Sequence, residues 1–238
     1  MKKCLFIRSY QGDIQWLKYA LQSLHKFASG WDEIVIVVPE PQKPLFDQLN
    51  LTVEKLKTCP TYPNDYIGQQ LTKLQAYNYT DADLITFWDS DVIAHAPTSP
   101  ADYVKENKPV LYKTHYDHLK TDQGYLWKQR TEQAFGHPVE YEYMRRLPLT
   151  YHASTLKDLE TYFRATHRKN YQQYTESIQG NDFSEFNLVG AYVQRFETHK
   201  YHLLDTDHTV LPPLKARQFW SWSKLTPAEE TEINTMIR

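Results

Sequence analysis

Glycine is scarce in this chain, at 7 of 238 residues. Just after the first apolar run, Arg8-Ser9-Tyr10-Gln11-Gly12 offers only one. Nucleotidyltransferases carry a glycine-rich loop there, where backbone amides close on phosphates, so that class is disfavoured. Cysteine is scarcer still. Cys4 and Cys59 are the two present, too few for a disulfide framework, and a reducing cytoplasm is the simpler expectation. Long hydrophobic runs are missing as well. No stretch approaches about 18 apolar residues, and Arg8 interrupts the basic-then-apolar start too early for a signal core or a span. Charge excess is also lacking. A net charge of −2 announces neither a nucleic acid nor a membrane partner. The expectation is a soluble cytoplasmic protein with no membrane span.

Alternating strand-like and helix-like segments are what the chain does contain. Residues 4–7 read as a strand. Ile14, Leu17, Leu21, Leu24 and Ala28 recur at helical spacing, and Gly30 stops them. Glu33 to Val38 is β-branched and nearly continuous, as a strand covered on both faces should be. Leu51 to Leu56 suggests a shorter strand, and Ile67, Leu71, Leu74 and Tyr77 mark a helix. Leu84 to Trp88 is a further buried strand. Such βαβ alternation predicts an α/β fold with a mostly parallel central sheet flanked by helices. After Pro100 the pattern loosens. Strands are expected at 110–112, 139–144 and 201–204, and helices around Leu156 to Phe163 and Phe186 to Phe196. Thr226-Pro227 opens a last helix. With no repeat and no linker, a single domain is expected, with residues 1–100 as a nucleotide half and 101–238 as an acceptor half.

Asp89-Ser90-Asp91 stands directly after the strand 84–88. In an open parallel sheet the ligand lies at the carboxyl ends of the strands, which is where this pair falls. Two hard carboxylates there suit Mg²⁺ or Mn²⁺, with substrate phosphates completing the shell. Asp-x-Asp is also a common turn sequence, so position carries the argument. The string further fits a phosphatase of the haloacid-dehalogenase type, with Asp89 as nucleophile. In that group the motif follows the first strand, whereas here three strand-like segments precede it.

Several motifs together resemble a GT-A fold glycosyltransferase, in particular a group of bacterial and phage GT-A-like proteins. They are Gln69-Gln70-Leu71-Thr72-Lys73-Leu74, then Trp88-Asp89-Ser90-Asp91, then Phe183-Ser184-Glu185-Phe186 followed by Gly190 and Tyr192. The likeness runs over roughly residues 60–195. It implies a single GT-A-type, Rossmann-like domain, a nucleotide-sugar donor (UDP-sugar foremost) and a Mn²⁺ or Mg²⁺ bridging its diphosphate. Asp91 is then a direct ligand, and Asp89 binds metal or the donor's ribose and sugar. A third ligand is often a late histidine; among His199, His202 and His208, His208 is the choice.

Other residues carry roles of their own. Ser90 can offer its hydroxyl or amide to ribose or phosphate. Gln70 and Lys73 share a helix side, and the lysine would offset diphosphate charge. Arg8, Ser9 and Tyr10 end the first strand at the same sheet edge, with Tyr10 as a stacking ring for the base. Glu185 is the candidate general base, with Asp182 as its neighbouring alternative. A basic route through Glu185 implies inversion; a merely positioning Glu185 leaves retention open. In Phe219-Trp220-Ser221-Trp222-Ser223-Lys224, the residues Trp220, Trp222 and Lys224 would close over the donor, or else anchor the last helix. Tyrosines, arginines and histidines between 141 and 171 suit a glycan acceptor or a hydroxymethylated base of phage DNA. A non-catalytic nucleotide- or glycan-binding module is the alternative to an enzyme.

Overall fold

The computed structural model describes every residue except 50, 120–122, 179, 181 and 223. Its strands are β1 Lys3–Arg8, β2 Glu33–Pro39, β3 Glu54–Cys59, β4 Leu84–Phe87, β5 Val92–Ala94, β6 Val104–Lys105, β7 Lys108–His115, β8 Tyr141–Glu142, β9 Leu149–His152, β10 His202–Asp205 and β11 Ala216–Gln218. Its helices are α1 Ile14–Phe27, α2 Lys43–Asp47, α3 Asp65–Leu74, α4 Gln123–Phe135, α5 Ala153–His167, α6 Tyr171–Thr175, α7 Glu185–Tyr192 and α8 Pro227–Ile237. The central sheet has the order β3-β2-β1-β4-β9. The first four of these run parallel and β9 runs antiparallel to β4. This is a Rossmann-like α/β fold with helices on both faces of a mostly parallel sheet.

The two faces follow from strand alternation. Cys4 and Phe6 of β1, with Val35 and Val37 of β2, point into one core cluster shared with Leu71 of α3, Leu159 of α5 and Val189 of α7. Leu5, Ile7, Ile36 and Val38 point the other way, onto Leu17, Leu21 and Leu24 of α1. Because both faces of β1 and β2 are covered, their residues read as unbroken apolar runs. A second face of α1, with Trp16, Tyr19 and Ala20, packs on Phe219 and on Ile233 of α8.

Several elements differ from the sequence reading. The third strand lies at 54–59 rather than 51–56. As the sheet edge it alternates exposed Lys55 and Lys57 with inward residues, so no apolar run marks it. Leu49, Leu51 and Leu56 instead pack on the α1 side of the sheet. The short strands β5, β9 and β11 and the polar helix α4 carried no readable period. Among the described residues, no helix is long and apolar enough to cross a membrane.

Gly190 of α7 shows what close packing demands. A Cβ built there would collide with Cβ and Cγ of the buried Tyr143. Those atoms sit next to a backbone and cannot swing aside. Gly190→Ala is therefore expected to destabilise the fold by about 1–3 kcal/mol, measurable by urea denaturation; an unchanged midpoint would refute this packing account.

Candidate functional site

Strand order reverses between β1 and β4, because β2 and β3 lie on one side of β1 and β4 on the other. A crevice at such a switch point is the usual ligand site of an open α/β sheet. A cavity of about 320 Å³ sits here, lined by the segments after β1 and β4, by α3, by the start of α7 and by residues 218–222.

The acidic turn is rigidly built. Val92 N–H donates to the Asp89 carbonyl (3.0 Å), closing the turn, and the buried Trp88 indole N–H donates to the Val92 carbonyl (2.7 Å). β5 then pairs antiparallel with β11, Val92 facing Gln218. This ribbon carries residues 219–222 back over the turn. Phe219 N–H donates to the Asp91 carbonyl (3.0 Å), and Ser221 N–H donates to Asp91 Oδ2 (2.8 Å). Trp220 adopts φ +63°, a left-handed conformation that is strained for a bulky residue. Its ring and that of Trp222 meet edge to face at 5.4 Å, and both line the cavity. Trp222 stays 75% exposed, a large apolar surface for the rim of a polar cleft.

Lys73, on α3, lies between two carboxylates. Its Nζ is 2.7 Å from Asp89 Oδ1 and 3.0 Å from Glu185 Oε1. Burial by itself pushes this ammonium down, but the charges of Asp89 and Glu185 outweigh it and hold the group above its ordinary range. A single ammonium cannot neutralise two carboxylates. Glu185, the more buried, is accordingly pushed up by desolvation, against the pull of Lys73 and with repulsion from Asp89. Glu185 opens α7, whose cap is Ser184, and its own N–H donates to Gln70 Oε1 (3.0 Å). Gln70 thus ties α3 to the start of α7. Arg8 is buried and forms a two-pronged pair with Asp65 at the start of α3.

Asp91 is pushed up to about 6, first by burial and then by the charge of Asp89, with the Ser221 amide opposing. Asp13, at the end of a short 3-10 turn leading into α1, is 8% exposed and also lines the cavity. Ser90 Oγ donates to Asp13 Oδ2 (2.9 Å), while Asp13 Oδ1 is buried without a hydrogen-bond partner. The described lining carries Asp13, Asp65, Asp89, Asp91 and Glu185 against Arg8 and Lys73, an excess of three negative charges if all ionise.

Of the sequence-derived candidates, Asp89, Asp91, Ser90, Lys73, Gln70, Glu185, Arg8, Tyr10, Trp220 and Trp222 converge on this cavity. Four do not line it. Ser9 is buried beside it, its N–H donating to the Val37 carbonyl. Asp182 instead pairs with Arg130 (2.6 Å), so it does not share the Glu185 site. Lys224 is exposed past the tryptophans, and Ser223 lies outside the described residues. His208 turns to Asp205 (3.3 Å) on an exposed loop after β10. That strand belongs to the β7 sheet, which is why the histidine is not carried to Asp91. Lys73 is close to the acidic pair as expected, but its charge is spent on Asp89 and Glu185. Asp13, Asp65 and Ser221 were missed. Nothing local distinguishes Asp13 or Asp65 from helix-start acids, and the Ser221 contact exists only through the β5–β11 ribbon.

A divalent metal fits this donor set in part. Asp89 and Asp91 supply hard oxygens, and the negative excess favours a cation. Among the described residues no three His, Cys, Asp or Glu side chains are placed to hold a metal together. Asp89 and Asp91 would therefore hold one only with ligand oxygens completing its shell. Among curated proteins no match to the chain is found. A family model described as a family of unknown function, DUF6492, matches residues 3–225, nearly the whole of this fold, and the chain belongs to that family.

Proposed function

We propose that the protein is a metal-dependent glycosyltransferase, moving a sugar from a nucleotide-sugar, UDP-sugar foremost, to an acceptor hydroxyl. The observation that carries this reading is the convergence of Asp89, Asp91 and Glu185 on one switch-point cavity with an excess of negative charge. An anionic diphosphate enters such a cavity only in company with cations. Bound at Asp89 and Asp91, Mn²⁺ or Mg²⁺ would offset the charge developing on the departing diphosphate.

The chain's own groups do the rest. Glu185, raised by burial and held by Lys73, accepts the acceptor's proton as its oxygen attacks the anomeric carbon. The bond from that carbon to the diphosphate oxygen breaks, and the nucleoside diphosphate leaves with the electron pair. Attack from the Glu185 side inverts the anomeric centre. Trp220 and Trp222 offer flat faces at the cavity mouth that exclude water and stack on sugar or base. Glu185→Gln, which keeps shape and removes the base, is expected to lower kcat by about 10²–10⁴-fold with KM little changed. A rise in KM with kcat unchanged would assign Glu185 to positioning.

The test is release of nucleoside diphosphate from UDP- and GDP-sugars with Mn²⁺, with glycans and hydroxymethylcytosine DNA as separate acceptor arms. Full activity in EDTA would sink the metal-dependent reading. A phosphate-ester hydrolase is the second reading, favoured by the Asp89–Lys73 pair, which orients a carboxylate at the cavity where a nucleophile would stand. It would release inorganic phosphate from simple esters, which the transferase does not.

A further inference from the structure

We propose that Asp13 recognises ribose: its Oδ1 accepts a hydrogen bond from the 2′,3′-diol of a ribonucleoside diphosphate whose phosphates lie at the Asp89–Asp91 turn. The inference rests on the nucleotide-sugar reading of the same cavity and adds a specificity residue to it.

Asp13 is 8% exposed, and its Oδ1 is buried with no hydrogen-bond partner in a protein where a lone buried acceptor is costly. Its other oxygen accepts from Ser90 Oγ at 2.9 Å, which ties the carboxylate to the acidic turn. The Ser221 hydroxyl approaches the same carboxyl without reaching Oδ1 in hydrogen-bond geometry. The missing partner must be a hydrogen-bond donor or a cation, so it is not a phosphate oxygen, and among the described residues Asp13 is not grouped with Asp89 and Asp91 to hold a metal. The neighbouring protein cations do not meet the need either. Arg8 is held by Asp65, and Lys73 by Asp89 and Glu185. A neutral hydroxyl fits, and a carboxylate accepting from a diol gains from charge-assisted bonds.

Position selects the ribose. Asp13 belongs to the segment after β1, across the strand-order reversal from the turn after β4. A ligand with phosphates at Asp89 and Asp91 lays its next unit against that segment. The half-exposed Tyr10 ring lies there too, folded over Gly12, where an added Cβ would come within 2.6 Å of it. Ring and carboxylate thus flank one spot, the ring for a base and the carboxylate for the sugar that carries it.

The experiment is calorimetric titration with Mn²⁺ present, comparing UDP and GDP with their 2′,3′-dideoxy counterparts. Wild-type protein is expected to bind at least one ribonucleotide about ten-fold or more tightly than its dideoxy form, because loss of the diol strands a buried acceptor. In Asp13→Ala the gap should shrink below about three-fold, since the acceptor is gone. If the wild type binds neither ribonucleotide, the nucleotide-sugar reading falls and this inference with it. Should ribo and dideoxy forms bind the wild type equally, the inference alone falls. An Asp13→Ala variant that weakens both forms equally, leaving the ratio intact, would reduce Asp13 to a support for Ser90 and also overturn it.

Discussion

Asp91→Asn is expected to raise the stability of the free protein near pH 7 while abolishing Mn²⁺-dependent nucleotide binding. Asp91 titrates at about 6 in the folded state, above the 3.8 of a free side chain, because burial and Asp89 disfavour its charge. A carboxyl raised in this way favours the folded state when protonated. Its contribution is fully present below about pH 4 and lost as pH rises through 6. At neutral pH the folded protein therefore holds a charge it would hold more cheaply unfolded. Asparagine removes that charge and still accepts from the Ser221 amide through its carbonyl oxygen. In a chain of this size each kcal/mol moves Tm by about 2–4 °C, so a rise of several degrees is expected. The fall in Tm between pH 4 and 7 should flatten in part, since Asp13 and Glu185 are raised with the same sign and remain. The thermal shift with UDP or GDP and Mn²⁺ that the proposed function expects of the wild type should vanish. A variant less stable than wild type at pH 7, or one keeping the nucleotide shift, would show that Asp91 is a structural anchor and not the binding carboxylate.

Lys73→Met should cost the fold about 3–5 kcal/mol, the usual effect of deleting one member of a buried charge pair. Lys73 is 5% exposed, and its removal leaves Asp89 and Glu185 with no cation between them. Methionine keeps most of the packing against Phe186, over whose ring the ammonium lies at 4.8 Å, so the loss reports charge and not volume. Adding Glu185→Gln to Lys73→Met should recover more than half of the loss, because one of the stranded carboxylates is then neutral. Urea denaturation of the single and double variants decides this. A single-variant loss below about 1 kcal/mol would mean that the pair behaves as a solvated surface bridge.

These two variants separate what was readable from the chain. Glu33 to Val38 and Leu84 to Trp88 announced buried strands because a strand covered on both faces is apolar at every position. The acidic pair was legible for the same reason, since Asp89 and Asp91 break such a run at its carboxyl end. Edge strand β3 was displaced by three residues in the reading, because an edge carries lysines on its open side. Helix α4 and strand β9 went unseen; one has little apolar period and the other spans four residues.

By itself the chain determined the mostly parallel sheet and the carboxylates at the carboxyl end of one of its strands, because these depend on local periodicity and on one break in it. Only the tertiary structure decided who meets those carboxylates. The β5–β11 ribbon brings Ser221 to Asp91 across 130 residues, while His208 stays on a loop after a strand of another sheet. The packing of α3 against α7 places Lys73 between Asp89 and Glu185, turning a lysine that resembled a phosphate contact into the centre of a charge triad whose Lys73 and Glu185 are buried. Partners so distant in the chain are set by where whole elements pack, and no local pattern encodes that.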